Sequence, residues 1–477
     1  MFRQIFQNDD TIVFHELLPL NNDNVRICVV YTVGMADQKE ISKGLISAVL
    51  NSPEGSLNRE NMVNSLKKQI ISCGNIEINS DVDKIVGSIL YGDTLIIADN
   101  CPEALIVDLK GLKLRDISEP LSENVVRGPR DAFTESLIIN TSLIRRRVNN
   151  PNLKFRFDFL GTQTKTRICI CHINGLSNDK ILQEVNDRIK NIRLDAVLES
   201  GYIEEIIRDH PLSLFSTVGH TERPDKLVSG LLEGRIAIIV DGTPIALTVP
   251  FLFSEYFQSS EDYYNDFISG SVNRLLRWGA FFLSTSIPAI YVALTSFRKE
   301  IIPTPLLLTI SASRVDVPFP TIIEMFIMVV VFEILREGGS RLPVAVGSTI
   351  SFVGAVVIGD AAVNAKFVSA PIVIIVAVTG LSNFLIPKLM SSLSIVRIIL
   401  LLFSGVIGFY GYLFGAICLF IHLLSMNSFG VPYMLSISSL NAFEAKDTGI
   451  RVPWWVLRFR AKKQSQIDAG EANEEKS

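Results

Sequence analysis

Twenty consecutive residues from Trp278 to Phe297, WGAFFLSTSIPAIYVALTSF, contain no acidic or basic side chain. A helix of that length rises about 30 Å, the thickness of a bilayer core. Further apolar stretches follow at 342–359, 367–387 and 398–425, and residues 278–440 carry only fourteen charged side chains. Four spans are expected, with up to six if 301–312 and 321–335 also cross. The run 398–425 reads either as one long tilted helix or as a hairpin broken near Gly408 and Gly411. Pro303 and Pro305 make 301–312 suited to an interfacial or re-entrant element, and Glu324 and Glu333 make 321–335 a helix facing protein or water.

Residues 1–277 have a different character, with charges throughout and a duplication inside. DKIVGSILYGDTLIIADNCPEALIV (83–107) lies over DKLVSGLLEGRIAIIVDGTPIALTV (225–249), and VRICVVYTVG (25–34) resembles TRICICHING (166–175). Each copy reads as a strand, a helix and then two β-rich runs split by a turn, an α/β unit large enough for its own core. Gly234 is a helix C-terminal residue, and Thr221 within HTERPDK is a cap candidate for the helix that follows.

The predicted fold class is an α/β soluble N-terminal region of two tandem related repeats, followed by an all-α multi-span transmembrane domain. The expected boundaries are 1–110 for the first repeat, 111–150 for a helical connector, 151–270 for the second repeat, 271–435 for the transmembrane domain and 436–477 for a polar tail. The connector becomes helical through Ser136–Arg147, and its Arg145–Arg147 run is either a contact surface or a solvated helix end. Arg274 and Arg277, just before the first span, put the soluble region on the cytoplasmic side.

A formal net charge of −4 argues against nucleic acid as a partner. Cys28, Cys73, Cys101, Cys169, Cys171 and Cys418 form no CxxC pair and no zinc spacing, and Cys169 and Cys171 share one strand face as core residues. The N-terminus MFRQIFQNDD has no apolar signal region, so insertion is expected from the internal spans. His15, His172, His210, His220 and His422 lack a catalytic or metal-ligand context, so no enzyme activity, cofactor or metal is expected.

Candidate functional residues cluster in VAVGSTISFVGAVVIGDAAVNA (344–365). Gly347, Ser351, Gly354, Ile358 and Ala361 fall on one helical stripe, and Val346, Ile350, Val353 and Val357 on its neighbour. Small residues allow close helix approach, and a ring of Val and Ile side chains closes a pore by dewetting. Tight packing within one subunit is the alternative. Asp360, at the mouth, either draws cations or ends the helix. Glu324 and Glu333 either pair with Arg336 and Arg341 or line an ion path, and Gly338 and Gly339 between the arginines read as a flexible turn.

At VVRGPRDAF (125–133), HTERPDK (220–226), GRIAIIVDGTPIALTVP (234–250), DYYNDF (262–267), VPFPTIIE (317–324), LREGGSRLP (335–343), VGAVVIGDAAV (353–363) and FGVPY (429–433), the chain resembles the A-subunit family of spore germination receptors. These are the Ger-type nutrient receptors of endospore-forming bacteria. The resemblance implies residence in the inner spore membrane and action with a transporter-like B subunit and a lipoprotein C subunit. It also implies assembly as a homo-oligomer, a pentameric ring that conducts monovalent cations when nutrient binds. A secondary transporter, a membrane scaffold and the related dipicolinate-release paralogue are the competing readings.

Overall fold

The computed structural model describes residues 1–18, 26–50, 66–67, 75–99, 101–111, 120, 123–340, 357–434 and 447–457. The N-terminal region contains two antiparallel five-stranded sheets. The first uses β1 (Ile12–Leu17), β2 (Ile27–Thr32), β3 (Ile76–Asn79), β4 (Thr94–Ala98) and β5 (Ala104–Val107), in the order β1-β2-β4-β5-β3. The second uses β6 (Leu153–Leu160), β7 (Thr166–Ile173), β8 (Gly219–Thr221), β9 (Ile236–Val240) and β10 (Ala246–Val249), in the order β6-β7-β9-β10-β8. The orders are the same, and so is the register: Ile27 pairs with Ala98 where Ile168 pairs with Val240.

Each sheet has a helix before its central hairpin, α1 (Val82–Tyr91) in the first and α5 (Pro224–Leu232) in the second. Both end at a left-handed glycine, Gly92 at φ 103° and Gly234 at φ 88°. Their starts differ. Asp81 caps α1 by accepting from the Asp83 N–H at 3.1 Å. In α5 Pro224 takes the first helical position and Arg223 is the N-cap, without a side-chain cap. Thr221 is therefore not the cap. It ends β8, and its hydroxyl accepts from the Arg223 N–H at 3.1 Å.

The second sheet is buried on both faces, which is why IAIIV has no polar alternation. Ala237 and Ile239 pack with Cys169, Cys171 and α2 (Leu137–Arg147) on one side. Ile236, Ile238 and Val240 pack on the other side with α3 (Asp179–Lys190) and α4 (Ser200–Ile207). Burial pushes both thiols up. The arginine run ending α2 is divided among partners: Arg145 is buried against Asp9 and the Leu153 carbonyl, and Arg147 bonds Asp131.

The C-terminal region is a bundle of α6 (Phe267–Phe297), α7 (Thr304–Ala312), α8 (Thr321–Ser340), a helical stretch at 357–364, α9 (Ala370–Asn383), α10 (Met390–Ile407) and α11 (Phe409–Ser425). By length and composition α6 and the helical segment 387–407 can cross a bilayer; α9 and α11 are apolar but shorter. The run 398–425 is a hairpin, broken at Gly408 with φ 70°. Gly338 and Gly339 lie inside α8 rather than in a turn. Two helical glycines cost roughly 1 kcal/mol each, while Met325, Met328 and Val329 of the same helix are buried in an apolar cluster.

Polar contacts stitch the bundle. Ser284 bonds Asn383, and the Ser404 hydroxyl donates to the Ala289 carbonyl at 2.5 Å. At the base of α6, Arg277 forks onto Asp262 at 2.7 and 2.9 Å, and Arg274, fully buried, reaches Asp447 at 3.1 Å. The two arginines read as orientation signals are thus balanced by carboxylates of the same chain.

Candidate functional site

Of the candidate pore residues, Val346, Gly347, Ile350, Ser351, Val353 and Gly354 lie outside the described residues, as does Arg341. Val357, Ile358, Asp360 and Ala361 lie in the helical stretch 357–364, and all four are exposed. Asp360 accepts from the Asn364 amide at 3.0 Å. The other face of this stretch meets the bundle: Ala362 and Val363 pack beside Met325, Ile372 and Val376. A Cβ on Gly359 would stand 3.1 Å from Val373 Cγ1.

Glu324 and Glu333 sit nine residues apart on α8 and therefore on opposite faces. Glu324 is completely buried. It accepts from the Ser369 N–H at 3.0 Å, the Ser369 hydroxyl at 2.9 Å and the Arg314 guanidinium at 3.0 Å. Glu333 pairs with Arg336 at 2.7 Å and with Arg397 at 3.0 Å. Ser394 ties the group together, donating to Glu333 at 2.7 Å and accepting from Arg336 at 2.8 Å. Arg397 and Arg314 are partners that spacing along the chain does not signal.

A second constellation lies where the second sheet meets the helices, and four of the quoted motifs converge there. Glu123, in the connector, receives Lys226 of α5 at 3.0 Å and Lys388 at 2.7 Å, with Thr221 and the Glu222 N–H on its other oxygen. Lys388 precedes α10 and also donates to the His220 carbonyl. Arg223 clamps the connector, donating to the Glu123 carbonyl at 3.2 Å and the Pro129 carbonyl at 3.0 Å, while it forks onto Asp225. Tyr264 closes the set with a hydroxyl on Asp225.

Burial alone would raise the Glu123 carboxyl, but the ammonium charges of Lys226 and Lys388 hold it well below the usual carboxylate range. Burial lowers His220 to about 4, and the Lys388 charge acts in the same direction. The site therefore contains an ionised Glu123 beside a neutral His220 near pH 7.

FGVPY forms the third side of this junction. β11 (Asn427–Ser428) and β12 (Val431–Pro432) make a small hairpin after α11. Ser428 donates to the Thr217 carbonyl at 2.7 Å and accepts from the Phe251 N–H at 3.0 Å. The Phe429 N–H donates to Asp209 at 2.9 Å, and the Tyr433 hydroxyl to the Ser216 carbonyl at 2.8 Å. Phe253 contacts Phe215, Trp278 and Phe281 edge-on, and Phe257 stacks on Trp278 at 3.7 Å. These contacts join the second repeat to α6, α10 and α11. Among the described residues no group of three or more His, Cys, Asp or Glu side chains is arranged to hold a metal ion.

A family model described as Bacillus/Clostridium GerA spore germination protein matches residues 1–463. Spore germination protein KA of Bacillus subtilis (strain 168) is 42% identical over 98% of this chain and 86% of its own length. Uncharacterized membrane protein YfkQ of the same organism is 43% identical over 82% of this chain and 76% of its own. Among solved structures, the N-terminal domain of the A subunit of the Bacillus megaterium spore germinant receptor GerK3 is 32% identical. The match covers 53% of this chain and 92% of that one, at a TM-score of 0.42.

Proposed function

The chain belongs to the Bacillus/Clostridium GerA spore germination protein family, and from that premise we propose that it is the membrane subunit of a nutrient-responsive germination receptor, whose copies ring a cation path. The supporting observation is the 357–364 stretch. Its Val357, Ile358, Asp360 and Ala361 side chains are exposed among the described residues while the opposite face packs into the bundle. Apolar side chains facing a common axis exclude water until the ring widens, and Asp360 offers a carboxylate to an arriving cation. The candidate residues upstream, from Val346 to Gly354, continue the same stripes in sequence. The ring is read as a pentamer in the inner spore membrane, working with a transporter-like B subunit and a lipoprotein C subunit, and with the two repeats on the cytoplasmic side. In this reading the Glu123–Lys226–Lys388 junction passes the signal from the repeats to the helices.

The test is cation flux into vesicles that carry the assembled receptor. Val357→Asn and Val357→Asp are expected to leak without nutrient, and wild type to stay closed until nutrient is added. Unchanged flux in both variants would remove this helix from the gate. A secondary transporter is the second reading, favoured by the fully buried Glu324 among apolar helices. Concentrative uptake of a labelled solute by the purified chain would favour it.

A further inference from the structure

We propose that the loop from His210 to Phe215 is a lipid-contacting wedge, with Leu212 and Leu214 entering the boundary between headgroups and acyl chains of the surrounding bilayer. This goes further than the membrane reading above and rests on it. Leu212 is 99% exposed, yet its loop is not loose. Phe215, on one side, is buried in the cluster of Leu393, Leu423 and Met426. The Ser213 hydroxyl meets His422 Nε2 at 3.0 Å, and the Leu214 carbonyl accepts from Ser392. On the other side Arg208 donates to the Pro211 carbonyl.

These attachments fix the depth of the loop. The α10–α11 hairpin turns at Gly408, so Ser392 near the start of α10 and His422 near the end of α11 share the opposite, domain-facing level. The seventeen residues of α11 rise about 25 Å, against a hydrocarbon core of roughly 30 Å. If the hairpin turn lies at one face of the core, His422 lies at the other. Leu212 is one residue from the group that bonds His422, so it stands at the headgroup level rather than in bulk water. Phe420, Ile421 and Leu424, in the last turns of α11 beside His422 in sequence, are exposed as well. A fixed, uncovered leucine at the level where an apolar helix ends fits a lipid boundary, where such a side chain loses water contact without needing a protein partner.

The test uses the full chain in lipid nanodiscs with Trp278, Trp454 and Trp455 changed to Phe, so that one introduced tryptophan reports alone. Leu212→Trp is the reporter, Phe420→Trp the bilayer control and Leu18→Trp, on the first repeat, the water control. A residue held about 5–10 Å into the interface lies within reach of bromines at carbons 6 and 7 of the acyl chain, and its emission is expected to fall about twofold in brominated phosphatidylcholine. The Leu18→Trp signal is expected to stay constant. Quenching at 420 without quenching at 212 overturns the wedge and leaves the membrane reading standing, since the loop then faces water or another protein. No quenching at either position overturns both.

Discussion

Lys388 Nζ lies 2.7 Å from Glu123 Oε1, joining the start of a long apolar helix to the connector between the two repeats. Lys226 shares the same oxygen at 3.0 Å. One carboxylate thus balances two ammonium groups, and its removal takes from both their direct ion-pair partner. Breaking a buried pair in this way costs about 3–5 kcal/mol, and the partial solvent contact of Lys226 moves the expectation for Glu123→Gln toward about 2–3 kcal/mol. The denaturation midpoint of the full chain in detergent micelles measures this. The double variant Glu123→Gln/Lys388→Met is expected to recover part of the loss, because one stranded charge is removed as well. An unchanged midpoint in Glu123→Gln would mean that the three groups are not coupled.

Acid should weaken this junction in two stages. His220 stays neutral in the folded chain down to about 4, whereas the unfolded chain takes up its proton near 6.5. The unfolded state therefore binds protons first, and the stability due to His220, complete above 6.5, is lost as pH falls toward 4. Glu123 acts lower. Its folded carboxyl is held below the ordinary 4.5, so its contribution is present above 4.5 and declines as pH falls further. Denaturation midpoints measured from pH 7 to pH 3 are expected to fall across both windows. His220→Gln should flatten the upper stage, and Glu123→Gln should flatten the lower stage while altering the upper one, since the Glu123 charge favours protonated His220. A His220→Gln profile that matches wild type between 6.5 and 4 would contradict the assignment.

Features set by local chemistry were legible in the sequence. IAIIV and LIIA followed by short polar turns specify hairpins, and Gly92 and Gly234 end helices because only glycine takes their φ values without strain. The duplication carried register as well, since a one-residue slip would move Ile236, Ile238 and Val240 into the opposite core. Long-range electrostatics was not legible. Nothing near Lys388 announces Glu123, and the pairing of Glu333 with Arg397 depends on how two helices pack. HTERPDK misled in one respect: Thr221 has the chemistry of a cap, but Pro224 moves the helix start beyond its reach. The motifs have a physical role: Arg223 ties the connector to the start of α5, Tyr264 ties the segment before α6 to Asp225, and Ser428 joins the hairpin after α11 to the second repeat.

Gly408 and Gly279 make opposite predictions for the same substitution. Gly408 turns the α10–α11 hairpin at φ 70° and ψ −142°, and an added Cβ would stand 2.7 Å from Phe297 Cγ. Backbone strain alone costs roughly 1–3 kcal/mol there, before the clash. Gly279 lies inside α6 with open space around it, so alanine is expected to help by up to about 1 kcal/mol. Thermal unfolding in micelles should show Gly408→Ala lowered and Gly279→Ala unchanged or raised. A tolerated Gly408→Ala would argue for a continuous helix through 398–425.

Glu333 and Arg397 should not be equivalent in mutation, although they contact each other at 3.0 Å. Glu333→Gln leaves two guanidiniums, Arg336 and a fully buried Arg397, facing one another across Ser394 with no carboxylate between them. Arg397→Met leaves Glu333 still paired with Arg336 at 2.7 Å and still accepting from Ser394. An uncompensated buried charge is the expensive outcome, and it arises only in the first case. Glu333→Gln is therefore expected to cost about 1–2 kcal/mol more than Arg397→Met, and the double variant to fall near Arg397→Met alone. Thermal unfolding of the three variants in the same micelles gives the cycle. Equal losses from the two single changes would mean that Arg336 and Ser394 do not hold Glu333 once Arg397 is gone, and that the cluster is one pair rather than a shared carboxylate.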